Sequence, residues 1–306
     1  MNKDKDKFFK NSCVKENFIH KNMKIALNRI VNAVNGREKI IIYGHYDLDC
    51  ITGVSLLILI LRYLNADVEY YIPSEIEDNY EIDQKAVENH IKFLGANLLI
   101  TVGCGINSCS AVKECQKLGM DVIITDFRLQ KTHTPDACII NYAQLQDSYF
   151  NNLTSVGLVF KLAREIAKYY KIKCVNKYMD LVMLGTISKN VPLVGENEKY
   201  IVEGINKLRV TNNYGIKALM KVHKISNIDV NTIYKLVSTA IPTVNPIGRM
   251  DNARIVVELF TTSNAYRAEQ IAKYLKKQVE STNHRDLEYK KEVSRLRNFS
   301  KTLQLF

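Results

Sequence analysis

The chain has 306 residues, room for one large or two medium domains, and with 46% hydrophobic residues it can bury a sizeable core. Charged residues make up 25%, which excludes wholesale disorder, and a formal net charge of +11 favours anionic partners such as nucleic acid. The longest mainly apolar stretch, Val54 to Leu61, falls far short of the ~20 residues a membrane helix needs, so no membrane partner is expected.

Met1 to Lys10 interleaves Lys and Asp and reads as part of a solvated tail over residues 1–20. Met23, Leu27, Ile30, Val31 and Val34 recur at helical spacing, with Gly36 where a helix would end. Lys39 to Tyr43 is a short β-branched run that reads as a buried strand closing on Gly44. An apolar helix from about Ile51 to Leu64, a strand at Val68 to Ile72 and a polar helix near Gln84 to Phe93 follow. Next come a strand at Asn97 to Val102, a helix from about Ala111 to Leu118 and a strand at Asp121 to Thr125. Strands alternating with helices of this length predict an α/β fold: a parallel sheet with helices on both faces.

Beyond Leu153 the pattern turns mainly helical, with helices predicted over Leu153 to Tyr170, Tyr178 to Ile187, Tyr200 to Leu208 and Tyr214 to Val222. From Asn264 to Ser300 there is neither Gly nor Pro, which predicts one long, basic, amphipathic C-terminal linker helix. The expected division is therefore an α/β domain over 21–195, a helical extension over 196–263 and the linker helix over 264–306. Seven cysteines fit no zinc spacing, and with no signal peptide in view they predict reduced thiols and a cytoplasmic location.

In an open parallel sheet, ligands bind outside the carboxyl ends of the strands. Three such ends are readable: Gly44-His-Tyr-Asp-Leu-Asp-Cys50, Gly103-Cys-Gly105 and Asp126-Phe-Arg128. Asp47 and Asp49, two apart after a strand, are candidate oxygen ligands for one hard divalent cation.

These residues carry a family resemblance. Ile41-Ile-Tyr-Gly-His-Tyr-Asp-Leu-Asp-Cys-Ile-Thr52 resembles the first motif, IYGDYDVDGIT, of the RecJ-like DHH phosphoesterases. In the same order, Tyr71-Ile-Pro73 resembles the start of YIPNR, with Glu75 in place of its Arg. Thr101-Val-Gly-Cys-Gly-Ile-Asn-Ser108 is similar to TVDNGISS, and Ile123-Ile-Thr-Asp-Phe-Arg128 stands in the place of IITDHH. Leu181 to Leu193 resembles DLVALGTIADVVPL, Gly195-Glu-Asn197 matches GEN, and Asn245-Pro-Ile-Gly-Arg-Met250 resembles NAAGRM.

The resemblance implies a DHH-type fold for residues 21–195 and a GRM motif in the extension. It also implies an activity: two Mn²⁺ or Mg²⁺ ions, held by Asp and His from four motifs, supply a hydroxide that attacks a phosphodiester. In this chain Asp47, Asp49 and Asp126 match family ligands, but Gly103, Phe127, Arg128 and Lys189 stand where the others belong. His45 replaces a further acidic residue of the first motif, and Cys50 replaces its glycine. A metal pair concentrates about four positive charges, so losing carboxylates and gaining two cations disfavours it. No cofactor is therefore expected, with Mn²⁺ or Mg²⁺ required by any retained activity. A single metal on Asp47, Asp49 and His45 is a further alternative.

Two roles for the new cations are open. Arg128 and Lys189 could neutralise the old ligands as a salt-bridge network, or, with Arg249, face the phosphates of single-stranded nucleic acid. The expected function is a catalytically inactive homologue, serving as a nucleic-acid-binding or protein-scaffold module in DNA replication, recombination or repair. The alternative is a metal-dependent single-stranded-DNA exonuclease with a reduced site. No glycine-histidine motif of a second RecJ domain follows, so that domain is expected to be absent and the linker helix is a candidate docking surface for a protein partner.

Overall fold

The computed structural model describes residues 21–73, 80–130, 133–143, 152–243, 252–280 and 299. Five parallel strands form its sheet, in the order β2-β1-β3-β4-β5: β1 (Ile40–Gly44), β2 (Val68–Tyr71), β3 (Leu98–Val102), β4 (Asp121–Thr125) and β5 (Cys138–Ile140). Every residue of β1 and β3 is buried, which is why IIIYG and LLITV read as continuous apolar runs.

Side chains alternate between the two faces of the sheet. Ile40, Ile42, Leu98, Ile100, Val102 and Ile123 point into a large core shared with α1 (residues 21–35), α2 (Leu48–Tyr63) and α5 (Ser155–Tyr169). Ile41, Tyr43, Leu99, Val122 and Ile124 point the other way, onto α3 (Gln84–Asn89) and α4 (Cys109–Lys117). The expected α/β architecture with helices on both faces is what the structure shows.

Of the remaining described helices, α6 (Met179–Ser188) and α10 (Asn252–Thr261) pack on α2; α7 (Glu196–Leu208) and α9 (Val230–Ala240) pack on α6, and α8 (Tyr214–Val222) and α11 (Ala265–Glu280) on α10. Val256 and Phe260 of α10 and Ile271 and Leu275 of α11 belong to the same apolar core as the sheet. Among the described residues no helix is long and apolar enough to cross a membrane.

Some local expectations shift. The polar helix predicted over Gln84 to Phe93 is two pieces, because α3 stops at Asn89 and a 3₁₀ turn, Ile91–Leu94, follows. Strand β5 is too short to show periodicity, and α9 and α10 add two helices to those the sequence pattern predicts. Of the predicted linker helix, Ala265–Glu280 is helical and buries Ala268, Ile271, Ala272 and Leu275, so this part packs on the core rather than standing in solvent. Residues 281–298 and 300–306 lie outside the described residues, as do residues 1–20 and Glu75.

Two features of the fold place the site. The register pairs Gly44 with Val102 and Val102 with Thr125, so β1, β3 and β4 end level and their following loops emerge side by side. β1 has β2 on one side and β3 on the other, which makes the β1/β3 boundary a topological switch point. Gly185 of α6 then allows a close crossing over α2: a Cβ there would overlap the Thr52 hydroxyl and crowd Val156. That contact brings Lys189, at the C-cap of α6, over the N-terminus of α2.

Candidate functional site

Asp47 is the N-cap of α2, with extended backbone (φ −75°, ψ 155°), and its Oδ1 accepts from the Cys50 N–H at 2.9 Å. Its Oδ2 faces three groups: Lys189 Nζ at 3.0 Å, His45 Nδ1 at 3.2 Å and the Cys50 thiol at 3.5 Å. Burial works against this charge, but the His45 hydrogen bond and the Lys189 ammonium outweigh it and hold the carboxyl well below the usual range.

Asp49, fully buried in the first turn of α2, turns to the N-terminus of α5. Its Oδ2 accepts from Ser155 N–H and its Oδ1 from Val156 N–H, both at 2.8 Å. Thr154, the N-cap of α5, takes a third N–H, that of Gly157. Three of the four N–H groups a helix leaves open are thereby satisfied, two of them by a residue 106 positions away in the chain. Burial pushes the Asp49 carboxyl up to about 6, against the pull of Lys189 and these backbone donors.

Asp126, fully buried after β4, is held in a fork by Arg128. Its Oδ1 accepts from Arg128 N at 3.0 Å and Nε at 3.1 Å; its Oδ2 accepts from Arg128 Nη2 at 2.7 Å and Ile106 N at 3.0 Å. Burial opposes the Arg128 charge, yet the bonds and field of Asp126 leave its pKa raised. Lys189 shows the same balance: burial lowers its pKa, and Asp47 more than restores it.

Tyr80 lies across this cluster, and no sequence signal pointed to it. Its ring stacks on His45 (centroids 3.8 Å apart, 22° between planes), and the Lys189 ammonium and Arg128 guanidinium sit 5.2 and 5.0 Å from its centroid. Its hydroxyl is 3.4 Å from Lys189 Nζ, and its carbonyl accepts from Arg128 Nη2 at 2.7 Å and Gly105 N at 3.1 Å. Phe127 meets the same ring edge-on and lies 5.0 Å from Lys189 Nζ. The side chains of Phe127 and Lys189 thus form a cation–aromatic cover with Tyr80.

Gly103 sits at the end of β3 with a left-handed backbone (φ +72°). A Cβ at this position would overlap the Cys50 sulfur and the Ser155 hydroxyl. The Cys50 thiol therefore fills the space from which a side chain at 103 would extend. The two departures are one steric exchange, invisible from either position alone.

The structure brings His45, Asp47, Asp49, Asp126, Phe127, Arg128 and Lys189 into the neighbourhood of the switch point. Arg249 lies outside the described residues. Each of the six carboxylate oxygens of Asp47, Asp49 and Asp126 accepts at least one hydrogen bond from the protein. A metal pair would have to displace a helix cap, an ammonium or a guanidinium, so this donor set does not fit one. Among the described residues no group of three or more His, Cys, Asp or Glu is arranged to hold a metal.

Comparison with known proteins places the chain in a family. Residues 39–186 match the model of the DHH family, N-terminal domain. The chain is 35% identical over 260 residues to the single-stranded-DNA-specific exonuclease RecJ of Bacillus subtilis, covering 83% of this chain and 32% of that protein. It is 30% identical over 271 residues to RecJ of Escherichia coli, covering 82% and 46%. The chain thus spans 32% to 46% of the length of these relatives. Among solved structures, the manganese complex of Thermus thermophilus RecJ superposes with a TM-score of 0.72 at 24% identity, over 85% of this chain and 38% of that one. A second manganese-bound RecJ exonuclease gives 0.75 at 24%, over 84% and 65%. At that identity the solved structures establish the shared fold. With the sheet, the motif order and the sequence relatives in agreement, the chain belongs to the DHH family, in its RecJ-like branch.

Proposed function

We propose that this chain is a RecJ-like protein that does not hydrolyse phosphodiesters and serves as a nucleic-acid-binding or scaffold module in DNA replication, recombination or repair. The observation that carries the reading is the pairing of former ligands with cations: Lys189 on Asp47 at 3.0 Å and Arg128 on Asp126 at 2.7 Å. Each cation supplies locally the charge a divalent ion would have supplied. Tyr80 and Phe127 cover the same region. Asp47 and Asp49 remain because they cap α2 and α5, a structural role that outlasts catalysis.

The test is a Mn²⁺-dependent assay on 5′-labelled single-stranded DNA. The expected result is no turnover above a no-protein control. Turnover that disappears in Asp49→Ala would overturn the proposal in favour of an exonuclease with a reduced site.

Single-stranded nucleic acid is the proposed partner class, supported by the net charge of +11 and by relatives whose names specify single-stranded DNA. Because Arg128 and Lys189 are committed to carboxylates, Arg249 of the GRM motif is the better contact for a phosphate backbone. Fluorescence anisotropy with an oligonucleotide should show weak binding that falls steeply with salt and weakens in Arg249→Glu. No binding at low salt would leave the scaffold role alone.

A further inference from the structure

A second basic region lies beside Tyr142, which follows β5. A cavity of about 410 Å³ opens between α1 and α5, walled by Lys24, Lys161, Arg164, Lys168 and Tyr142. On α5 the three basic residues are spaced i, i+3 and i+7, so they form one stripe along a single helix face. At 1.5 Å rise per residue the stripe is roughly 10 Å long. It begins about 9 Å along the helix from Ser155, the residue bound to Asp49, and runs away from that contact.

Some basic residues elsewhere on the molecule are held by carboxylates. Arg29 pairs with Glu38 and Asp121, Lys39 with Asp67 and Glu69, Lys221 with Glu269 and Arg267 with Glu258. Among the described residues, Lys161 of the groove is neutralised by Glu196 at 2.7 Å, and its ammonium also lies 5.2 Å from the Tyr142 ring. Lys24, Arg164 and Lys168 are exposed and make no ion pair with any described carboxylate. One acidic residue, Glu165, lines the groove against these three cations.

That arrangement has an energetic cost. Like charges three or four apart on a helix repel and oppose it. The α5 C-terminus offsets this for Lys168 through the helix dipole, but Arg164 is mid-helix and receives no such compensation. A bound anion with several charges would relieve the repulsion. The fork of Arg164 suits phosphate oxygens, and Lys24 and Lys168 add mobile donors from either side.

We propose that the α1–α5 groove binds closely spaced phosphate groups. Such groups occur in a free oligophosphate and along a nucleic-acid strand, and the site does not depend on how the switch-point cleft is read. The experiment is calorimetric titration of the full chain at low salt with inorganic tripolyphosphate, and separately with a single-stranded oligonucleotide. Wild-type protein should bind tripolyphosphate, and the double variant Arg164→Glu/Lys168→Glu should lose about tenfold or more in affinity. Arg164→Lys should keep most of it, and Lys277→Glu, on the exposed side of α11, should change nothing. If the oligonucleotide loses affinity in the same variants, the ligand is a strand; if only tripolyphosphate does, it is a free oligophosphate. Should the double variant fail to fold, Lys24→Glu on the opposite wall provides the same test. No tripolyphosphate binding by the wild type, or unchanged binding after charge reversal, overturns the proposal.

Discussion

Cys50 and Gly103 exclude each other's alternatives: the thiol of Cys50 occupies the volume in which a side chain on Gly103 would begin. Gly103→Asp alone should therefore destabilise the fold by about 1–3 kcal/mol through overpacking, with a further penalty from the left-handed backbone. Adding Cys50→Gly should recover a measurable part of that loss. A double-mutant cycle by urea denaturation checks this, and strictly additive effects would contradict the steric exchange.

Lys189 stabilises Asp47 across α6 and α2. Lys189→Ala should cost about 2 kcal/mol, because the Asp47 carboxylate keeps only its His45 and Cys50 partners in a mostly buried position. Since the fold depresses the Asp47 pKa, its ionic contribution is fully present above the unfolded value near 3.8 and is lost as pH falls below it. The stability gap between wild type and Lys189→Ala should accordingly narrow below about pH 4. Denaturation midpoints across pH 2.5–7 give the comparison.

Asp49 has the opposite sign. Its folded pKa, about 6, lies above the unfolded value of 3.8, so the fold binds this proton more tightly than the unfolded chain does. Its contribution favours the fold at low pH and is withdrawn as pH rises from about 4 to about 6, on the order of 3 kcal/mol at most. In Asp49→Asn that part of the slope should vanish. The variant should also be less stable overall, because an amide oxygen serves only one of the two α5 donors. An unchanged slope in the variant would assign the titration to another group.

Divalent metal should not stabilise the wild-type chain. With 1 mM Mn²⁺ the melting temperature should move by less than about 1 °C, since a ligand at a hundredfold excess over Kd would add about 2.7 kcal/mol. The combined variant Cys50→Gly, Gly103→Asp, Phe127→His, Arg128→His, Lys189→Asp should gain a Mn²⁺-dependent shift of several degrees. Differential scanning calorimetry distinguishes the two, and a large shift in the wild type would show that the switch point accepts metal despite its hydrogen-bonded carboxylates.

Much of the molecule was legible in the chain itself. The apolar runs IIIYG, LLITV and DVIIT could only be buried strands of a parallel sheet, because both faces of such a sheet are covered. The order of the motifs aligned Asp47, Gly103, Asp126 and Lys189 with the ligand positions that the resemblance implies. Those facts are local in sequence, carried by residue type and spacing.

Tertiary structure decided what the surviving and substituted residues do. Whether Lys189 faced solvent or a carboxylate depended on α6 crossing α2 at Gly185, a contact between segments more than 130 residues apart. The binding of Asp49 to the N-terminus of α5, the stacking of Tyr80 on His45 and the filling of the Gly103 space by Cys50 are likewise long-range contacts. A sequence records such partners without their distances, and hydrogen bonding and packing act only once the fold has set those distances.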